Sequence, residues 1–402
     1  MASRPIKIDL VGDDSQLKKT LKGAGDRIGK FGTSVAKMGV TAGAAFGATA
    51  VAIGTKGVMA FSEFQSGMAE VFTLLPEAGE ETFKELGDQA KEFSKTFGVS
   101  TSDAIDGLYS SLSAGIPPDN VFEFMETAQK AATAGVASLE TAVDGISSVL
   151  NVYGDEVITA GEASDLMFTA VKLGKTNFEE ISASISTMAP IAEAVGVPFE
   201  TLTASIANLT AGGTPTSVAA NQMKAAMAEL AKAGTKADTA FRDLSGVGLQ
   251  QFLAEGGTYE EAIVMMKEGA DEAGISVLDM FGSIEAGQGV LALTADGGEK
   301  FRETLDEMAA SGGATETAFE TMDSTLGASF GKIKANLEVL AIEIGEKLAP
   351  LVAKATDFMV DNFDLIRPVL LDAKKHVIDF GKRATEIIKS VTKWVKDNEK
   401  WL

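Results

Sequence analysis

The chain has 402 residues, 45% of them hydrophobic, a net charge of −22 and no cysteine. That length is enough for two or three helical units, and the absent cysteine excludes disulfides, thiolate metal sites and cysteine nucleophiles. Residues 57–373 hold 49 acidic against 18 basic side chains, which repels phosphate and disfavours specific nucleic-acid binding.

The two ends differ from this middle: residues 1–37 and 374–402 each carry eight basic and four acidic side chains. The start, MASRPIKIDLVGDD, is charged and has no apolar signal-peptide core. Ile6, Ile8 and Leu10 alternate with Lys7 and Asp9 and predict one short strand. Leu17, Leu21, Ala24, Ile28, Phe31, Val35 and Met38 then recur at steps of four and three, a heptad seam that continues in small residues. It reads equally as a self-associating helix or as an amphipathic helix packed on its own domain.

Eighteen residues between Lys37 and Lys56 lack charge and include Met38, Phe46, Val51 and Ile53. Their length is near the minimum for a membrane span. Gly39, Gly43, Gly47 and Gly54 make them only mildly hydrophobic, so a close-packed helix in an oligomer is favoured over a membrane segment.

The middle reads as one short helix after another. Ser100 with Asp103, Thr176 with Glu179, Thr258 with Glu261 and Ser276 with Asp279 have capping-box spacing. Gly98, Gly135, Gly196 and Gly274 are expected as glycine C-caps. In the stretch Met188–Leu230, Ile206 and Leu209, with Ala207 and Thr203 beside them, predict an apolar stripe on a helix ended by Gly212 and Gly213, and the next helix is expected near Thr216. Convincing period-two runs are absent after Leu10, and the breaks hold no fixed period.

From Phe330 the pattern lengthens. Phe330, Ile333, Leu337, Leu340, Ala341, Ile344 and Leu348 predict a long amphipathic helix stopped near Pro350, with a second helix over 351–362. Val377, Phe380, Ala384, Ile387, Val391, Trp394, Asn398 and Trp401 are in heptad register, and the expectation is self-association into a parallel trimer. Packing on the chain's own core, or interfacial anchoring of Trp394 and Trp401 beside lysines, are the alternatives. The chain stops at Leu402 without a cap and is expected to be part of a longer protein.

Enzymatic motifs are weak. Gly327-Ala328-Ser329-Phe330-Gly331 matches G-x-S-x-G, but helix precedes it and the sole histidine is His376. Gly287-Gln288-Gly289 mimics a dinucleotide fingerprint with no strand before it. Gly174-Lys175-Thr176 lacks the upstream glycine of a P-loop, and the acidic runs have no EF-hand spacing. No catalytic, cofactor or metal residue is expected.

Several of these stretches taken together resemble the core region of phage tail tape-measure proteins. Met188, Ala189, Pro190, Ala192 and Gly196 match a helix end of that family, and Ala204, Leu209 and Gly212 to Gly213 match the helix and loop after it. Ala219 to Gln222 depart from its Ala-Gly-Thr-x-Leu. Phe61 to Ala69, Phe97 to Ser100, Leu108, Ala114-Gly115, Asp165-Leu166, Val171, Leu244, Phe281-Gly282 and Leu291 follow in family order, from about Phe61 to Leu348.

The expected organisation is mainly α: residues 1–56 as strand and small-residue helix, 57–329 as an all-α core, and 330–402 as amphipathic, coiled-coil helices. The resemblance implies a structural virion protein inside the tail tube, made in the host cytoplasm, which sets tail length and leaves ahead of the DNA. It implies a homo-oligomer and, as partners, the tail tube protein, assembly chaperones and tail-tip or baseplate proteins. A transient host-membrane contact through residues 38–55 is one alternative, and a non-phage helical scaffold is another.

Overall fold

The computed structural model describes residues 41–361, which form sixteen α-helices and one 3-10 turn with no strand among them. The strand expected at Ile6 to Leu10 lies outside the described residues. The chain divides into a compact unit Ser62–Leu340 and a second unit made of Met1–Phe61 with Ala341–Leu402. The division falls inside two helices, α1 (Thr41–Phe72) and α16 (Leu326–Asp361).

Between them the larger unit strings together short helices. The first seven are α2 (Glu80–Phe97), α3 (Thr101–Ser113), α4 (Val121–Gly135), α5 (Leu139–Tyr153), α6 (Ala160–Leu173), α7 (Phe178–Val195) and α8 (Phe199–Ala211). They continue as α9 (Thr216–Ala231), α10 (Lys236–Ser245), α11 (Leu249–Ala254), α12 (Tyr259–Glu272), α13 (Ile284–Leu293), α14 (Glu299–Ala309) and α15 (Ala314–Asp323).

Local capping explains why the helices are short. The Ser100 side chain accepts from the Asp103 N–H at 3.0 Å and starts α3. Thr258 and Glu261 form a reciprocal capping box at α12, and Ser276 with Asp279 forms one that opens the 3-10 turn Val277–Met280. Thr176 is not a cap. Asn177 takes that place, accepting from the Glu180 N–H at 2.8 Å, while the Thr176 hydroxyl accepts from Thr216. A further box, Thr159 with Glu162 at α6, is not among the four expected. Its first turn begins Ala160-Gly161, which lacks the apolar run that usually draws attention to a helix start.

Gly98 and Gly196 end their helices in the left-handed conformation, and Gly274 follows α12 with φ 67. Gly135 departs from expectation. It is the last helical residue of α4, and the left-handed turn falls on Val136, φ 54. The reason is packing: a Cβ on Gly135 would stand 2.7 Å from the Phe178 Cβ.

Helix α8 occupies the middle of the larger unit and packs against α6, α7, α9, α13 and α14. The expected stripe of Ile206 and Leu209 with Ala207 and Thr203 is buried, but so are Phe199, Leu202, Ala204, Ser205 and Thr210. Burial is therefore nearly all-round, where one stripe was expected. The hydroxyls remain satisfied within the helix. Thr203 donates to the Phe199 carbonyl, Ser205 to Thr201 and Thr210 to Ile206. Small residues let the neighbours close in. Gly174 leaves room for the Thr210 hydroxyl, and Gly287 and Gly289 of α13 face Leu278 and Gln222.

In the other unit α1 and α16 meet at Gly57 and Gly345, where a Cβ on Gly345 would collide with the Gly57 carbonyl. Helix α16 also corrects the expected stop near Pro350. It runs 36 residues with Pro350 inside it. Proline removes one backbone hydrogen bond, and the bonds on either side carry the helix past that gap.

Candidate functional surfaces

The enzyme-like motifs dissolve into packing. Ser329 lies in the first turns of α16, exposed, with its hydroxyl donating to the Thr325 carbonyl at 3.2 Å. It does not sit on a strand-to-helix elbow, because α15 precedes it. Gly287 and Gly289 are interior residues of α13, not a phosphate-binding turn.

Two of the clefts that hold polar side chains contain a carboxyl raised by burial. One of about 360 Å³ is lined by Tyr153, Leu166, Phe199, Glu200 and Met308, among others. The Tyr153 hydroxyl donates to the Val197 carbonyl at 3.1 Å, and burial pushes the phenol well above its usual range. Asp165 accepts the N–H groups of Gly313 and Thr315 at 2.7 and 2.8 Å, which fixes the start of α15. Glu162 is held in its capping box, and its carboxyl lies below the ordinary value because the Thr159 backbone N–H bonds to it. The polar rim thus serves helix ends. Glu200 differs, since burial raises its carboxyl.

The other cleft, about 260 Å³, gathers Glu70, Asp106, Tyr109 and Glu140. Burial, then the charges of Asp103 and Glu70, raise the Asp106 carboxyl. Among the described residues no group of three His, Cys, Asp or Glu is placed to hold a metal ion.

The expected seam residues Leu17, Leu21, Ile28, Phe31 and Val35, and Val377, Phe380, Ile387, Val391 and Trp394, lie outside the described residues, as does Met38. Phe46, Val51 and Ile53 lie on α1. Among the described residues no helix is long and apolar enough to cross a membrane.

The first half of α16 docks on the larger unit through its smaller residues. Its docked face is made of Gly331, Ala335, Glu338 and Val339, spaced at four and three. Gly331 passes close to the backbone of Gly98. The Glu338 carboxylate accepts the Thr101 N–H at 3.0 Å and also the Thr101 hydroxyl. It therefore neutralises the free N–H end of α3. Lys332 pairs with Asp323 at 2.7 Å. The large residues that mark the amphipathic pattern here, Phe330, Ile333, Leu337 and Leu340, are at least half exposed. Small residues face inward because the backbone of α16 approaches Gly98 too closely for large ones.

Residues 87–270 match the family model of phage-related minor tail proteins, which places the chain among structural components of phage tails. Over 348 residues it is 30% identical to a probable tape measure protein of Clostridium phage phiCD119. The match takes in 83% of this chain and 37% of that relative, so the chain spans little more than a third of its length. The chain belongs to the phage tail tape-measure proteins. No solved structure matches it.

Proposed function

We propose that this chain is part of a tape measure that lies in the tail tube lumen, sets the length to which the tube assembles and leaves ahead of the DNA. The likeness to the phiCD119 protein across 83% of the chain carries the reading. Its partners in that role are the tail tube protein, assembly chaperones, tail-tip proteins and further copies of itself, and residues 38–55 make transient contact with the host membrane during release. The heptad runs around Leu17 to Val35 and Val377 to Trp394 supply the oligomer seams, with a trimer as the stoichiometry.

The fold refines how length would be measured. A helix advances about 1.5 Å per residue, so α16 alone gives a rod of about 54 Å. A compact body the size of Ser62–Leu340 has a radius of gyration of about 19 Å. Packed, it spans far less than its contour, so the ruler resides in extended helices and the folded unit acts as a fixed increment.

The test is an insertion of about 42 residues in heptad register after Lys354, which should lengthen tails by about 63 Å in electron micrographs. A similar length of flexible linker placed in the exposed loop at Gly312 should leave tails unchanged. Unchanged tails from the helical insertion would refute the ruler reading.

A further inference from the structure

The last stretch of the larger unit, α15 with the start of α16, is attached differently from the helices before it. Across 314–340 the buried residues are Thr315, Ala335 and Val339. One alanine and one valine are thus the apolar side chains it withdraws from water, whereas α8 is buried nearly all round. The surface that α16 covers is itself backbone and hydroxyl, at Gly98 and Thr101.

Polar clamps hold this stretch at both ends. Asp165 accepts the Gly313 and Thr315 N–H groups, and the buried Ser164 hydroxyl donates to Thr315 Oγ1 at 2.9 Å. Beside them Lys130 pairs with Glu316 at 2.8 Å. At the far end Glu338 accepts from the N–H and hydroxyl of Thr101. Between the clamps, Lys332 reaches Asp323 at 2.7 Å and ties α16 to α15, which makes one piece of the two helices.

We propose that residues 313–340 are a strap that undocks as one piece while α2 to α14 stay folded. Separating apolar surfaces costs free energy in proportion to the area returned to water, and here that area is small. Hydrogen bonds and partly exposed ion pairs exchange for bonds to water at modest net cost. Lys130, Asp165, Glu316 and Glu338 all reach solvent, so release leaves none of these charges buried and unpaired. A segment with few buried apolar contacts opens at lower free energy than the whole unit. Release thereby frees the helix over 326–340 from the folded body without melting either.

The strap is a property of the free chain and is independent of the ruler reading. Because the chain has no cysteine, one introduced thiol reports a single position. Val339→Cys lies under the strap, Val143→Cys lies in the core on α5, and the exposed Val157→Cys sets the rate of a thiol that needs no opening. With the soluble reagent DTNB, Val339→Cys should react on the order of a hundredfold faster than Val143→Cys and slower than Val157→Cys. Glu338→Ala should raise the Val339→Cys rate several-fold, leave the Val143→Cys rate unchanged and keep the helical circular dichroism signal. Asp165→Asn, which weakens the opposite clamp, should do the same if the strap moves as one piece. A Val339→Cys rate no faster than that of Val143→Cys would overturn the proposal. So would equal acceleration of both thiols by Glu338→Ala, since strap and core would then open together, or an Asp165→Asn variant with no effect at Val339→Cys.

Discussion

Gly135→Ala tests whether glycines here are chosen for packing or for backbone freedom. The residue is helical, so alanine fits its backbone and would gain up to about 1 kcal/mol in helix propensity. The added Cβ, however, would lie 2.7 Å from the Phe178 Cβ and 2.8 Å from its Cγ and Cδ2. Phe178 is fully buried and is the first residue of α7, anchored by the Asn177 cap, so the clash meets the base of the ring near the backbone. Overpacking of this kind costs about 1–3 kcal/mol, which exceeds the gain. Gly161→Ala is the control, because its nearest neighbour would be the Thr159 Oγ1 at 3.9 Å. The two variants should differ by about 1–3 kcal/mol, or roughly 2–5 °C in midpoint for a unit of this size. Thermal and urea melts followed by circular dichroism measure this. A Gly135→Ala midpoint at or above that of Gly161→Ala would refute the packing argument.

Leu209→Asp, placing a carboxylate at the buried centre of α8, should cost on the order of 4 kcal/mol, and an unchanged urea midpoint would mean the helix is not central. Glu338→Ala should remove the acceptor at the start of α3, cost about 1–2 kcal/mol and speed amide exchange at Thr101, whereas Glu338→Gln should recover part of it. The Glu162 carboxyl lies below 4.5 in the folded chain, so its stabilisation is present above that pH and is lost as pH falls further. Glu162→Gln should flatten that acid limb in melts across pH 3–6. Asp106 has the opposite sign. Its carboxyl is raised from 3.8, so its charge opposes folding above that range, and Asp106→Asn should stabilise at pH 7 with no effect at pH 3.

Much of this protein is decided within a few residues of chain. A cap such as Ser100 needs a partner three positions on, and a glycine stop such as Gly196 needs one carbonyl in the preceding turn. Such signals are readable in sequence, and so were the all-helical character and the family, whose motifs fall in order along the chain. The start of α9 at Thr216 after the Gly212 to Pro215 loop was legible for the same reason.

Other features depend on what arrives from far away. Glu338 binds Thr101 across 237 residues, so nothing near Glu338 signals that the small face of α16 turns inward. Periodicity predicts that Phe330, Ile333, Leu337 and Leu340 share a face but carries no sign for inside or outside. The tertiary contact with Gly98 sets that sign, because only a glycine and alanine face can approach another backbone so closely. Burial all around α8 was illegible too, since its serines and threonines look polar until their hydroxyls turn back onto the helix. The left-handed turn expected at Gly135 falls on Val136 because Phe178, more than forty residues on, fills the space a side chain at 135 would take.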